Sequence, residues 1–182
     1  ADTAYRANRM PRLGETVLGN SFSLGPGGKG SNQAVAAGRV GVQVSMISRL
    51  GKDDFGKMAL DTWAASGVTP FVEQSSDDYT GAAFIFVEES SGDNAIIIAP
   101  GAAAKISPKD LENQIDLISK ADVFVTQLEQ PIDAALKGLE IAKSAGVQTV
   151  LNPAPATDLP EELLSLCDYI TPNETETEAL TG

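Results

Sequence analysis

From residue 122 onward the sequence alternates β-type and helical segments at short spacing, and this alternation most constrains the fold. Residues 122–128 read as a strand, 131–145 as a helix, 147–151 as a strand, 168–171 as a short strand and 173–180 as a helix. Strands separated by single helices run parallel, joined by crossovers that pack on the sheet, so an α/β class is expected. The first half begins in the same way. Residues 42–50 read as a strand, and Asp53 or Asp54 caps a helix running to about Ser66, ended by Gly67. Ser107 and Pro108 open a further helix, with proline at its first position. Other stretches break the alternation. Residues 80–87 and 95–99 are β-type runs around a polar turn at 88–94, which is a hairpin pattern. With an extended stretch at 15–24, they are expected to form a small separate sheet on the α/β core. Phe84, Phe86, Ile96 and Ile98 alternate with Ala83, Ile85, Ala95 and Ile97, so both faces of that sheet carry apolar side chains. A two-sided apolar sheet must cover something.

Composition excludes several function classes. The 182 residues carry a formal net charge of −12, which opposes nucleic acid and anionic membranes, both of which reward positive charge. No apolar run approaches the roughly 20 residues needed to span a bilayer. There is no histidine, which removes Ser–His and Cys–His nucleophiles and histidine-based metal sites. Cys167 is the single cysteine and lies in an apolar stretch. It is expected in the core of a protein kept reduced, hence cytoplasmic. The first residues read as the tail of a strand, and the last lie in or just after a helical pattern. Both ends look cut, so a piece of a longer protein is expected.

The chemistry concentrates in Gly27-Gly28-Lys29-Gly30-Ser31-Asn32-Gln33-Ala34. Glycines let backbone N–H groups approach a ligand, and the helix start that follows favours anions. Two familiar loops are excluded. Gly25, Gly27 and Gly30 satisfy G-x-G-x-x-G, but the preceding residues 20–24 make a weak, polar strand instead of a buried one. The phosphate loop G-x-x-x-x-G-K-[ST] fails because Ser23 stands at its first glycine and Gly30 follows Lys29. Without further context the segment reads equally as a turn leading into a helix. A second set of polar residues follows the strand ends, where open α/β sheets bind ligands. Glu129 follows the first of the late strands, Asn152 the second, and Asn173 and Glu176 the third. Each alone reads as a helix cap or loop residue; the recurrence at three ends favours a site.

The spacing of Asn32, Ala34, Gly41 and Gly51 resembles the N-terminal signature of the ribokinase-like (PfkB-type) carbohydrate kinases. The resemblance spans nearly the whole chain. Residues 10–16, Gly51-Lys52-Asp53-Asp54-Phe55-Gly56, Gln127-Leu128-Glu129, Asn152-Pro153-Ala154-Pro155-Ala156 and Thr171-Pro172-Asn173-Glu174-Thr175-Glu176 are similar to family motifs in the same order. The Gly-Gly-Lys-Gly and Asn-Pro-Ala-Pro-Ala wording points to the ribokinase branch, away from the fructokinase and ketodeoxygluconate kinase branches.

That resemblance implies a three-layer α/β/α core with a mostly parallel sheet and a β-sheet lid, the lid strands at about 15–24 and 80–99 being inserted in one incomplete domain. It implies an ATP-dependent sugar kinase, with ribose the expected substrate and ribose 5-phosphate the product. Asp2 matches the aspartate that binds sugar hydroxyls, and Gly28, Lys29, Asn32 and Glu129 match further sugar contacts. Carboxylates accept from adjacent hydroxyls, and amide and lysine groups donate to sugar oxygens. Asn173 matches a residue near the ATP phosphates, and Glu176 the acidic residue that helps organise Mg²⁺, through water. The family's second signature, with its catalytic aspartate, anion hole, adenine pocket and monovalent-cation (K⁺) site, would lie beyond Gly182. No catalytic base is therefore assigned within these residues, and the 182-residue chain is expected to be inactive by itself. The lid is expected to shield the sugar with one face and pair two subunits with the other, with Ile96 and Ile98 at that dimer contact. The competing readings are a kinase for another sugar or nucleoside of the same family, and a non-catalytic sugar-binding or dimerising remnant.

Overall fold

In the computed structural model, which describes residues 1–182, the residues sort into two units, Ala1–Ala103 and Ala104–Gly182. Each is taken by itself.

The first unit opens with two strands, β1 (Asp2–Ala7) and β2 (Ser21–Gly25), followed by helix α1 (Lys29–Arg39). Strand β3 (Val44–Gly51), helix α2 (Asp54–Ala65) and strand β4 (Val68–Ser75) come next, then β5 (Thr80–Glu88) and β6 (Asn94–Gly101). β3 and β4 run parallel, Val44 facing Val68 through to Gly51 facing Ser75, with α2 as their crossover. Their core is Ala34, Leu50, Trp63 and Val68, with Val44, Met46, Leu60 and Val72 packed against it. The other sheet is mixed, in the order β2-β1-β5-β6. β1 is antiparallel to β2 and parallel to β5, and β5 and β6 form the expected hairpin.

Three expectations for the first unit are corrected. The opening residues do not end a strand: β1 runs on from Asp2 to Ala7 and lies inside the small sheet. The extended stretch at 15–24 shortens to Ser21–Gly25, because β1 pairs only as far as Arg6 with Ser21 and residues 15–20 have no strand to lie against. Glu15 instead closes a local loop, its carboxylate accepting from the Arg12 N–H at 3.0 Å and from the Arg9 guanidinium. The register also moves the isoleucines. Asp2 is level with Ala83, and Ala83 with Ile98, while Ile85 faces Ile96. Side chains of facing residues share a side of the sheet, so Ile96 and Ile98 lie on the side of Asp2. The opposite side carries Tyr5, Phe22, Leu24, Phe84, Phe86 and Ile97. There Tyr5 stacks with Phe22 and Phe84 at ring separations of 5.0 and 5.5 Å.

The second unit begins with a 3₁₀ turn (Ala102–Lys105, its first two residues in the first unit) and the short helices α3 (Pro108–Glu112) and α4 (Ile115–Ser119). It continues as β7 (Val123–Thr126), α5 (Ile132–Ser144), β8 (Gln148–Leu151), α6 (Glu161–Ser165), β9 (Tyr169–Ile170) and α7 (Glu174–Thr181). β7, β8 and β9 form a parallel sheet in that order, as the alternation implies. Leu128, Leu139, Leu151 and Leu163 make its core, and Cys167 packs against them with its thiol donating to the Leu163 carbonyl at 3.3 Å. No helix is long and apolar enough to cross a membrane.

Candidate functional site

In the first unit the glycine segment lies against β1. Gly25 ends β2 opposite Asp2, and two residues later the chain folds back over the Asp2 side chain. A Cβ placed on Gly27 would stand 2.1 Å from the Asp2 carboxyl carbon, so a side chain there would push the Asp2 carboxyl out of its place. Asp2 is held from its own strand: the Ala83 N–H donates to the Ala1 carbonyl at 2.8 Å and the Thr3 hydroxyl to the Ala83 carbonyl at 2.9 Å. Gly28 then takes φ +93° to start α1, a left-handed conformation that favours glycine. No side chain caps this helix and no acidic residue stands in its first turn. Lys29 and Asn32 are three residues apart and share a helix face, and the Asn32 N–H donates to the Gly28 carbonyl at 2.9 Å. The structure therefore gathers Asp2, Gly28, Lys29 and Asn32 around one turn. The Asp2 carboxyl thus lies against the loop that leads into the start of α1.

The root of β5 is fixed nearby in the same unit. Asp53 caps α2, accepting from the Gly56 N–H at 2.7 Å, and its other oxygen accepts from the Thr80 N–H at 2.7 Å. The Thr80 hydroxyl in turn accepts from the Gly51 N–H at 2.9 Å. Burial of Asp53 opposes its charge, but the Thr80 and Gly56 donors outweigh it and hold the carboxyl below the usual aspartate range. Of the two candidate caps, Asp53 is the one used.

In the second unit the parallel register brings the three strand ends to one edge. The loops beyond them are tied together. The Asn152 N–H donates to the Thr126 carbonyl at 2.9 Å and its side-chain amide to the Thr171 carbonyl at 2.8 Å, while the Leu128 N–H donates to the Ala154 carbonyl at 2.9 Å. Glu129 stands half-buried beyond β7, its N–H donating to the Gln127 side chain at 2.8 Å. Asn173 and Glu176 form a capping box on α7: the Glu176 N–H donates to Asn173 Oδ1 at 2.8 Å, and the Asn173 N–H to Glu176 Oε2 at 2.9 Å. Glu176 is buried, with 6% of its surface exposed. The helix-cap reading of these two residues is thus realised in full. No group of three acidic, cysteine or histidine side chains gathers to ligate a metal directly.

Sequence reasoning missed the buried pair Trp63 and Ser31, whose side chains hydrogen-bond at 2.8 Å, and the role of Thr80. The spacing of Ser31 and Ala34 on one helix face, with the lone tryptophan on a neighbouring helix, was the available signal.

Parallel strand–helix–strand units, a mixed sheet and a glycine turn against an aspartate define an α/β class of protein. The chain belongs to the pfkB family of carbohydrate kinases, whose pattern it matches over residues 2–182. It is 45% identical over 183 aligned residues to a ribokinase of Haemophilus influenzae, covering all of this chain and 60% of that protein. A deoxyribokinase of Salmonella typhi is 38% identical over the same span, again with 60% of its length covered. Among solved structures, Arabidopsis thaliana ribokinase complexed with ribose and ATP superposes with a TM-score of 0.91 at 31% identity, covering 100% of this chain and 59% of that one. The chain thus spans about 60% of the length of the curated relatives it matches.

Proposed function

We propose that the gene product carrying this chain is an ATP-dependent ribokinase that transfers the γ-phosphoryl group to the terminal hydroxyl of ribose. The single observation that carries this reading is the packing of Gly27 on the Asp2 carboxyl, which sets an acceptor for sugar hydroxyls at the uncapped start of α1. In this proposal Asp2 accepts from two adjacent hydroxyls, Lys29 and Asn32 donate to sugar oxygens, and the Gly28 backbone lets the sugar approach closely. Glu129 is assigned a further sugar contact, Asn173 the neighbourhood of the ATP phosphates, and Glu176 a water-mediated contact with Mg²⁺. Magnesium would neutralise phosphate charge during transfer. The catalytic aspartate and the K⁺ site are assigned to sequence beyond these 182 residues, so the isolated chain should transfer no phosphoryl group. The proposed enzyme is a cytoplasmic homodimer.

The deoxyribokinase relative favours a second reading, in which 2-deoxyribose is the substrate. Steady-state assay of the full-length gene product against ribose, 2-deoxyribose, fructose and adenosine decides between them. The expected result is the highest kcat/KM with ribose. Preference for another sugar would discard the ribose assignment and leave the family membership standing. Phosphorylation of ribose by the purified 182-residue chain alone would overturn the proposed division of labour.

A further inference from the structure

We propose that Trp63 is a positioning residue of the sugar-binding turn, acting through Ser31 to hold the uncapped start of α1 in place. The inference rests on the reading that Lys29 and Asn32 bind the sugar.

The argument starts from a deficit. A helix begins with N–H groups that have no partner within it, and side-chain caps normally restrain that end. α1 has neither a side-chain cap nor an acidic residue in its first turn. Two glycines, Gly28 and Gly30, add backbone freedom at this point. A turn built this way frays unless something outside it holds it, and fraying in a binding turn must be suppressed when ligand binds, which weakens affinity.

Trp63 supplies the restraint from the side. Its indole N–H donates to Ser31 Oγ at 2.8 Å, and both side chains are buried, Trp63 at 2% exposure. The ring cannot follow a moving turn, because it is packed with Ala34, Leu50 and Val68 in the core of the first unit. Ser31 lies between Lys29 and Asn32 in sequence, so its side chain holds the core side of the turn while those two occupy another face. A second contact fixes the rest of the helix. Gly38, two turns after Ser31 on the same face, lies so close to α2 that a Cβ there would stand 2.1 Å from the Ser66 carbonyl oxygen. α1 is therefore seated on α2 at both ends, by backbone contact at Gly38 and by a single directional bond at Ser31. Only the latter is next to the proposed sugar contacts.

The test uses the full-length gene product. Trp63→Phe keeps an aromatic ring and removes the N–H, Ser31→Ala removes the acceptor, and Asn32→Ala is the reference for direct sugar contact. The expected result is a rise in ribose KM of about five-fold for W63F and for S31A, the size of one ordinary hydrogen bond. kcat and the ATP KM should stay near wild type, a split that general destabilisation would not produce. 5-Fluorotryptophan placed at position 63 alone gives a readout without removing the bond. Its ¹⁹F resonance should shift on adding ribose and remain unmoved on adding ATP. An unchanged ribose KM in both variants, with N32A raised, would overturn the positioning role and spare the sugar reading. An unchanged ribose KM in N32A would remove the sugar reading of α1 and this inference with it. Should W63F or S31A fail to fold, the fluorine resonance decides, and a signal that ignores ribose overturns the proposal.

Discussion

Gly27 lacks a side chain because the Asp2 carboxyl occupies the space that one would need. This makes a sharp prediction at the residue scale. Gly27→Ala displaces the Asp2 carboxyl from its place against the loop. Ribose KM in the full-length product should rise at least about ten-fold, since the displacement falls between two proposed sugar contacts. Gly25→Ala is the control, because a Cβ there meets nothing within 4 Å. Equal KM values for the two variants would show that the Gly27 contact does not shape a site. Asp2→Ala tests the carboxylate itself. Losing a charge-assisted acceptor removes roughly 1.5–3 kcal/mol, so a ribose KM rise of ten-fold or more is expected. An unchanged KM and kcat would leave Asp2 as merely the residue that opens β1.

At the scale of elements, two carboxylates tie loops to strands, and their charge sets how the elements respond to acid. Asp168 binds the Lys143 ammonium and also accepts from the Thr149 N–H at 2.9 Å and hydroxyl at 3.0 Å. Lys143 first, then Thr149, holds its carboxyl down at about 2 from an ordinary 3.8. A depressed carboxyl stabilises the fold above its unfolded value and loses that contribution as pH falls through the folded one. Stability from Asp168 should therefore be complete above pH 4 and disappear towards pH 2. Thermal melts across that range should show Asp168→Asn with a flatter acid limb than wild type; parallel limbs would disprove the linkage. Asp53 works in the same direction at the root of β5. The elements themselves were unevenly legible in the sequence. Alternation and caps disclosed β7 to β9, α5 and α7, because local periodicity reports burial directly. Strand β4 escaped because Pro70 interrupts its pattern, and proline is tolerated there only by a strand with a free edge. β1 reads in the sequence only as the tail of a strand, because its partners are β5, some eighty positions along the chain, and β2, reached across a long loop. The residues of the glycine turn and the strand ends could be named from sequence. The Asp2–Gly27 contact and the Trp63–Ser31 bond could not, since each is a tertiary distance that no spacing encodes.

At the scale of the whole molecule, the mixed sheet carries the strongest signal for association. Its face opposite Asp2 presents Tyr5, Phe22, Leu24 and Ile97, exposed at 43, 56, 48 and 66%. Contiguous apolar patches of this kind on soluble proteins usually mark interfaces, and burying them in a homodimer would contribute roughly 25 cal/mol for each Å² removed from water. A net charge of −12 argues against a nucleic acid as the partner. The register decides which substitutions test this. Ile96 and Ile98 share the side of Asp2 and so should not be the dimer contact that residue alternation alone suggests. Phe22→Glu and Ile97→Glu should each convert the full-length product to a monomer in sedimentation velocity runs, whereas Ile96→Glu should remain dimeric. The reverse pattern would place the interface on the Asp2 side, where a partner would compete with the sugar for the same face. A wild-type protein that sediments as a monomer at all concentrations would remove the interface altogether, and the exposed aromatic stripe would then need a different partner.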